Sequence, residues 1–364
     1  MNNVISEEQL EIAMRKCARG VTYKSSVAWF LLNSTDTIPK LHDQLESGAY
    51  RARKPKRFKV TFPKERDLVS ICFRDRVFQR SFNDNEAYPL MTKGFILDNW
   101  ACQKGKGTDR ARERLKSFMQ DYWHKNGTEG YALKMDIRKY YDSIPHDKAK
   151  VLFKKHLSPW GYEQACQIID HQYPGERGFN PGSQLIQILG ISFLNDIDHA
   201  MKEKHHAHYY LRYQDDTIIL HKSREVLEAI EKATEEMLSE IGLELNRKKT
   251  RIVRLADGFD FLGFHYRLSK TGKVVMSVCT DKVRQERRHL RGIARKVKSG
   301  ELPRWKADEH FHSVIKHYEK GDSARLIMRM QAFYKNLWEE DNENDSKRNP
   351  RQETPRTQTG HLGC

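Results

Sequence analysis

Two adjacent aspartates, Asp215 and Asp216, sit between apolar runs in YYLRYQDDTIIL, and a third, Asp136, closes the apolar stretch ALKMDI. Runs of this kind, rich in Tyr and Ile and bounded by polar residues, read as strands joined by a tight turn. Carboxylates side by side repel each other and resist desolvation, so the pair needs a neutralising partner. The plainer alternative is a solvated hairpin tip, for which Asp-Asp is ordinary chemistry. If the strands carrying Asp136 and Asp215 are neighbours in one sheet, their carboxylates converge at one end and can hold divalent metal. Mg²⁺ fits, because it favours oxygen ligands, keeps waters and binds through few carboxylates plus substrate phosphates. Two such ions clamp the attacking and leaving oxygens of an in-line phosphoryl transfer.

The charge balance points the same way. Among 364 residues, Lys and Arg number 65 against 49 acidic residues, a formal excess of +16, and only 38% of residues are hydrophobic. That excess predicts a polyanionic partner and salt-sensitive binding. No apolar run approaches the length of a spanning helix, and MNNVISEEQLEIAMRK has no signal-peptide core. Nucleic acid is therefore the expected partner, and no membrane is. Cysteines at 17, 72, 102, 166, 279 and 364 form no CxxC pair, which argues against a zinc ribbon and suits reduced thiols in the cytoplasm. The cluster HHAHYY at 205–210 reads as a helix end and strand start rather than a metal site.

The elements that must position these aspartates alternate. Residues 6–50 have amphipathic helical spacing, and strand-like pieces follow through LVSICF, with a turn at Pro63-Lys64-Glu65. Helices are expected from Arg74 to Tyr88 and, bounded by glycines, across 105–127. After the 132–137 strand come helices at 146–157 and 161–172, a loop at 173–184, and a helix from Leu185 to His199. The Asp215-Asp216 hairpin, a helix over 223–242, and strands over 243–253 and 259–268 complete the pattern. A very basic helix spans 281–297, helix continues to Trp338, and 339–364 reads as a disordered tail.

In order, DIRKYYDSIPH, GFNPGSQLIQ, YQDD and FLGF resemble the motifs of reverse transcriptases, over roughly residues 50 to 335. The chain looks most like bacterial enzymes of the group II intron-like branch, with diversity-generating retroelement enzymes and related prophage or defence enzymes nearest. The resemblance implies an α/β (α+β) right-hand polymerase: an N-terminal helical extension at 1–49, fingers 50–130, palm 131–268 and a helical thumb 269–338. It implies that Asp136 and Asp215 ligate two Mg²⁺ (or Mn²⁺) ions, with Asp216 supporting them. Tyr141 matches the bulky residue that packs under the incoming sugar and excludes a 2′-hydroxyl; a core aromatic is the alternative. Gln187 matches a glutamine near the nascent base pair, although Ile186 stands where the family has serine, FNPG replaces IPxG, and Gln184 is a rival. Arg66, Arg76 and Lys106 stand at positions that hold the incoming triphosphate, and either Lys248 or Lys249 falls near the pyrophosphate. Phe261, Leu262 and Gly263 match the turn that grips the primer. Arg287 and Arg291, on the basic helix, would track the template–primer backbone through its phosphates.

The implied activity is RNA-directed DNA synthesis from dNTPs, in a diversity-generating retroelement that makes cDNA from a structured template RNA. An RNA/DNA heteroduplex would occupy the cleft, with a small accessory protein or a second copy of the chain as further partner. Two other roles remain open: an antiphage-defence reverse transcriptase working with a noncoding RNA, and a catalytically silent RNA-binding protein. The intact aspartates speak against the second. An RNA-dependent RNA polymerase is disfavoured by YQDD and Tyr141. Nothing after residue 338 reads as a nuclease or DNA-binding domain, so a complete mobile-intron enzyme is not expected.

Overall fold

A computed structural model describes residues 5–60, 66–180 and 182–348. It divides into two compact units: Met1–Phe259 with Leu268–Lys273, and Asp260–Arg267 with Val274–Cys364. The first unit opens with α1 (Glu7–Ala18), α2 (Ser25–Leu32) and α3 (Ser34–Glu46). A reciprocal capping box between Ser6 and Gln9 starts α1. Strands β1 (Lys56–Val60) and β2 (Arg66–Ser70) pair antiparallel. Next come α4 (Phe73–Phe82), α5 (Tyr88–Thr92), α6 (Thr108–Asn126), β3 (Tyr131–Met135) and α7 (Tyr140–Ser143). Helices α8 (His146–His156), α9 (Pro159–Gln172), α10 (Gln184–Ser192) and α11 (Asn195–His199) precede β4 (Tyr209–Tyr213) and β5 (Asp216–His221). The unit ends with α12 (Arg224–Glu240) and β6 (Arg251–Arg254).

The central sheet has the order β4-β5-β3-β6, antiparallel throughout. Its inner strands are buried along most of their length, which is why ALKM and TIIL read as nearly continuous apolar runs. Helix α12 lays Leu227, Ile230, Thr234 and Leu238 on the core side, a spacing of three to four residues. Its first turn is capped by Ser223, whose Oγ accepts from the Val226 amide at 3.1 Å. Helix α10 buries Leu185, Ile186, Ile188 and Leu189, and leaves Gln187 only partly buried. The edge strand β4 is covered: the Trp100 amide donates to the Arg212 carbonyl at 2.9 Å and the Arg212 amide to the Asp98 carbonyl at 3.0 Å. Those bonds satisfy the outward backbone groups of Arg212 at this edge.

The second unit carries a sheet of order β7-β8-β9, with β7 (Phe259–Phe261), β8 (Phe264–Leu268) and β9 (Val274–Val278). Helices α13 (Thr280–Lys298), α14 (Arg304–Tyr318) and α15 (Ala324–Arg348) complete it.

Several expectations need correction. The strand expected over 243–253 is confined to Arg251–Arg254, and the preceding residues form a loop. The Leu245–Asn246 part of that loop instead clamps the end of β3, through a bridge to Ile137 and the Asn246 amide bonded to the Asp136 carbonyl at 2.7 Å. The strand over 259–268 is a hairpin, turned at Leu262 and Gly263 with φ of 44° and 90°. Gly263 takes that conformation freely and Leu262 does not. The helix from Leu185 to His199 breaks after Ser192, and that from Arg74 to Tyr88 passes through a π-helical turn at Asn83–Ala87. Helix α15 runs on to Arg348, so the expected tail at 339–364 begins as helix; 349–364 lie outside the described residues, as does the turn at Pro63-Lys64-Glu65.

Candidate active site

The β4–β5 turn is the tightest a hairpin allows. Tyr213 pairs with Asp216, leaving Gln214 and Asp215 as a two-residue loop. Gln214 has φ of +55°, a region where glycine is the usual occupant, so the surroundings must hold it. Arg212 does so. It is fully buried, and one guanidinium nitrogen donates to the Gln214 carbonyl at 2.9 Å. The same guanidinium donates to the Ile191 carbonyl at 2.8 Å and to both oxygens of Asp198 at 2.6 and 2.5 Å. Asp198, wholly buried, also accepts from the Tyr210 hydroxyl at 2.6 Å. Sequence reasoning missed this pair. The signal was there: charges within apolar elements survive burial only when paired and hydrogen-bonded.

The β3–β5 register sets Met135 opposite Thr217, which brings Asp136 and Asp215 to one end of the sheet. Asp136 is buried. Its Oδ1 accepts from Asn246 Nδ2 at 2.9 Å and its Oδ2 from Lys249 Nζ at 2.6 Å. Burial pushes the Asp215 carboxyl up to about 6, reinforced by the neighbouring Asp216 and, beyond a backbone hydrogen bond that opposes it, Asp136. Asp216 is half-buried at the start of β5.

Asp136 and Asp215, but not Asp216, line a cavity of about 1280 Å³ together with Tyr141, Gln187, Gln214 and Lys248 among others. Gln187, not Gln184, is at its wall, together with Lys249. Lys139, with φ of +45°, reverses the chain after β3 and starts α7. The next two residues diverge: Tyr140 is buried and its hydroxyl donates to the Gly190 carbonyl, whereas Tyr141 is half-buried at the cavity.

Arg66 begins β2 opposite Val60, and its neighbour Leu68 reaches the cavity wall. Arg76 lies over the Phe73 ring, 6.0 Å from its centroid, and does not line the cavity. Lys106 donates to the carbonyls of Leu97 and Asn99 at 2.7 and 2.6 Å, so its ammonium braces a loop, and burial pulls its pKa down. Within the second unit, Phe261 is buried at the β7–β8 turn. Arg287 and Arg291 both stack on Phe333, 5.2 Å from its centroid. Cation–π contact positions those two arginines without neutralising their charge.

The donor set suits a hard divalent cation. Asp136, Asp215 and Asp216 offer only oxygen donors, the kind a hard divalent cation takes. Among the described residues, only His42, Asp43 and Glu46 bring three ligand atoms within 4.8 Å of one another. Asp136, Asp215 and Asp216 do not form such a group.

Comparison with known proteins decides the family. Residues 76–266, more than half of the chain, match the family described as reverse transcriptase (RNA-dependent DNA polymerase). The chain belongs to the reverse transcriptase family. Family membership makes it an RNA-directed DNA polymerase, and the matched segment contains Asp136, Asp215 and Asp216. This reverse transcriptase is similar to Protein YkfC of Escherichia coli (strain K12), at 23% identity over 312 residues, 72% of this chain and 81% of that one. It is also similar in structure to telomerases. Apo telomerase from Candida tropicalis, truncated from its C-terminal domain, gives a TM-score of 0.46 at 14% identity, over 65% of this chain and 59% of that one. Telomerase from Candida albicans in complex with a fragment of telomeric RNA gives 0.49 at 10% identity, over 82% of this chain and 62% of that one. The chain therefore spans about three-fifths of the length of these telomerases. No described helix of the reverse transcriptase is long and apolar enough to cross a membrane.

Proposed function

We propose that the cavity at Asp136 and Asp215 is the site where a primer 3′-hydroxyl is extended with dNTPs on an RNA template, within a diversity-generating retroelement. The observation that carries the catalytic assignment is the convergence of Asp136 and Asp215 at one end of the central sheet, on a cavity of about 1280 Å³. Asp136 and Asp215, supported by Asp216, would hold two Mg²⁺ or Mn²⁺ ions, which neutralise phosphate charge and favour in-line displacement. Asn246 orients Asp136 through its amide. Either Lys249, bonded to Asp136 Oδ2, or Lys248, on the same wall, would stabilise or protonate departing pyrophosphate. Tyr141 lies under the incoming sugar and disfavours a 2′-hydroxyl, and Gln187 contacts the nascent base pair. Gln187, which matches the glutamine of diversity-generating enzymes, stands at the cavity wall; a defence reverse transcriptase working with a noncoding RNA is the alternative reading. Arg287 and Arg291 grip the heteroduplex backbone, read by its shape.

The test is dNTP incorporation by the purified chain on poly(rA)/oligo(dT) with Mg²⁺ or Mn²⁺, beside the Asp215→Ala/Asp216→Ala double variant. RNA copurifying with the protein is sequenced from the same preparation. Incorporation lost in the variant supports the site. Incorporation that survives it places the chemistry elsewhere. A copurified noncoding RNA with no cDNA derived from it would favour the defence role.

A further inference from the structure

Gly190 lies in the interior of α10, where alanine would make a more stable helix, and it is buried. A Cβ placed on it would meet the tip of the Tyr141 ring, at 2.7 Å from Oη, 2.8 Å from Cε1 and 2.9 Å from Cζ. Contacts this short require something to move. The Gly190 carbonyl is held by the Tyr140 hydroxyl, so the helix backbone is tied to the same turn that carries Tyr141. The Tyr141 hydroxyl is buried and has no hydrogen-bond partner among the described residues, so the ring is seated by shape and not by a polar anchor. Its position is set by what lies beneath it. Tyr141 also lines the cavity, so a ring driven off α10 takes up cavity space.

We propose that Gly190 is a specificity-determining seat: its missing side chain fixes how far the Tyr141 ring projects into the nucleotide cavity, and so fixes the clearance left for the sugar. The proposal rests on the assignment of Tyr141 as the residue under the sugar. A larger residue at 190 would lift the ring and crowd a deoxyribose as well as a ribose. The glycine thus trades helix stability for a cavity that admits the deoxynucleotide.

The experiment is a double-mutant cycle with Gly190→Ala and Tyr141→Ala in the full chain, read as KM and kcat for dTTP and UTP on poly(rA)/oligo(dT), with melting temperatures alongside. Gly190→Ala alone is expected to raise the KM for dTTP by about tenfold, with a smaller change in kcat and no loss of melting temperature. In the Tyr141→Ala background the same substitution should change KM less than about twofold, because the clash is gone. Equal effects in both backgrounds, or no effect in the first, would overturn the proposal. If Gly190→Ala unfolds the chain, rescue by Tyr141→Ala supports the contact, and failure to rescue shows that Gly190 serves helix packing alone. Sugar choice separates the two ideas. Tyr141→Ala that leaves UTP use unchanged sinks the gate assignment, while the coupling of KM across the cycle still decides the seat.

Discussion

Replacing Arg212 with methionine tests whether the aspartate hairpin is held from below. Methionine fills the stem's volume but removes the guanidinium, leaving Asp198 wholly buried with the Tyr210 hydroxyl as its one side-chain donor among the described residues. Breaking one side of a buried ion pair costs roughly 3–5 kcal/mol. The Gln214 and Ile191 carbonyls lose their donor as well. Since these losses share one side chain they do not add fully, and we expect about 4 kcal/mol, a large part of a typical domain's stability. Urea unfolding followed by tryptophan fluorescence measures it. The informative comparison is Arg212→Met/Asp198→Leu, in which no buried charge is left alone. That variant should recover at least about 2 kcal/mol, since apolar replacement of a whole buried pair is often close to neutral. It should nonetheless polymerise poorly, because the guanidinium bond to the Gln214 carbonyl, which helps hold its φ of +55°, is gone. A loss below about 1 kcal/mol for Arg212→Met, or a double variant with the full sum of both losses, would refute the argument. So would a stable double variant with undiminished kcat.

Three shorter predictions address other groups. Lys106→Ala should lower stability by about 1–2 kcal/mol, through the freed Leu97 and Asn99 carbonyls, and leave the KM for dNTP within about twofold; a tenfold KM effect with unchanged stability would restore Lys106 to the triphosphate. Lys249→Met should tighten Mn²⁺ binding, followed by electron paramagnetic resonance, by only about fivefold, because water screens its exposed ammonium; no change would show that the ammonium leaves Asp136 freely. At Asp84, burial opposes ionisation, but bonds from Lys16 at 2.7 Å and Arg80 at 2.8 Å outweigh it and hold the carboxyl below its usual range. That stabilisation is whole above about pH 4, the ordinary carboxylate value, and fades as pH falls through the lower folded-state value. Asp84→Asn should therefore lower the urea midpoint at neutral pH, with the difference closing in acid; a gap that stays constant would contradict the pairing.

The sequence made the hairpin and the β3 strand legible because both signals are local: apolar runs with β-forming residues broken by carboxylates. Helix α12 was legible for the same reason, its apolar spacing lying within one element. The loop at 243–250 was not. LELNRKKT alternates as a strand would, but Asn246 spends its amide groups on Asp136 rather than on a ladder, a long-range competition that no local pattern encodes. The break after Ser192 was likewise hidden, because apolar spacing continues across it into α11.

The same distinction runs through the candidate site. Aspartates announce themselves by being costly where they stand, whereas the groups that make them tolerable belong to other elements. Asp136 is balanced by Asn246 and Lys249 from the loop before β6, and the turn at Gln214 by an arginine that reaches Asp198 at α11. Gly190 is the limiting case, since its contribution is an absence that only the Tyr141 ring above it makes visible. A buried Arg212 in an apolar strand therefore carries as much information about this site as the aspartates do. Its charge obliges a partner, and the partner fixes which helix must lie beneath the aspartate turn.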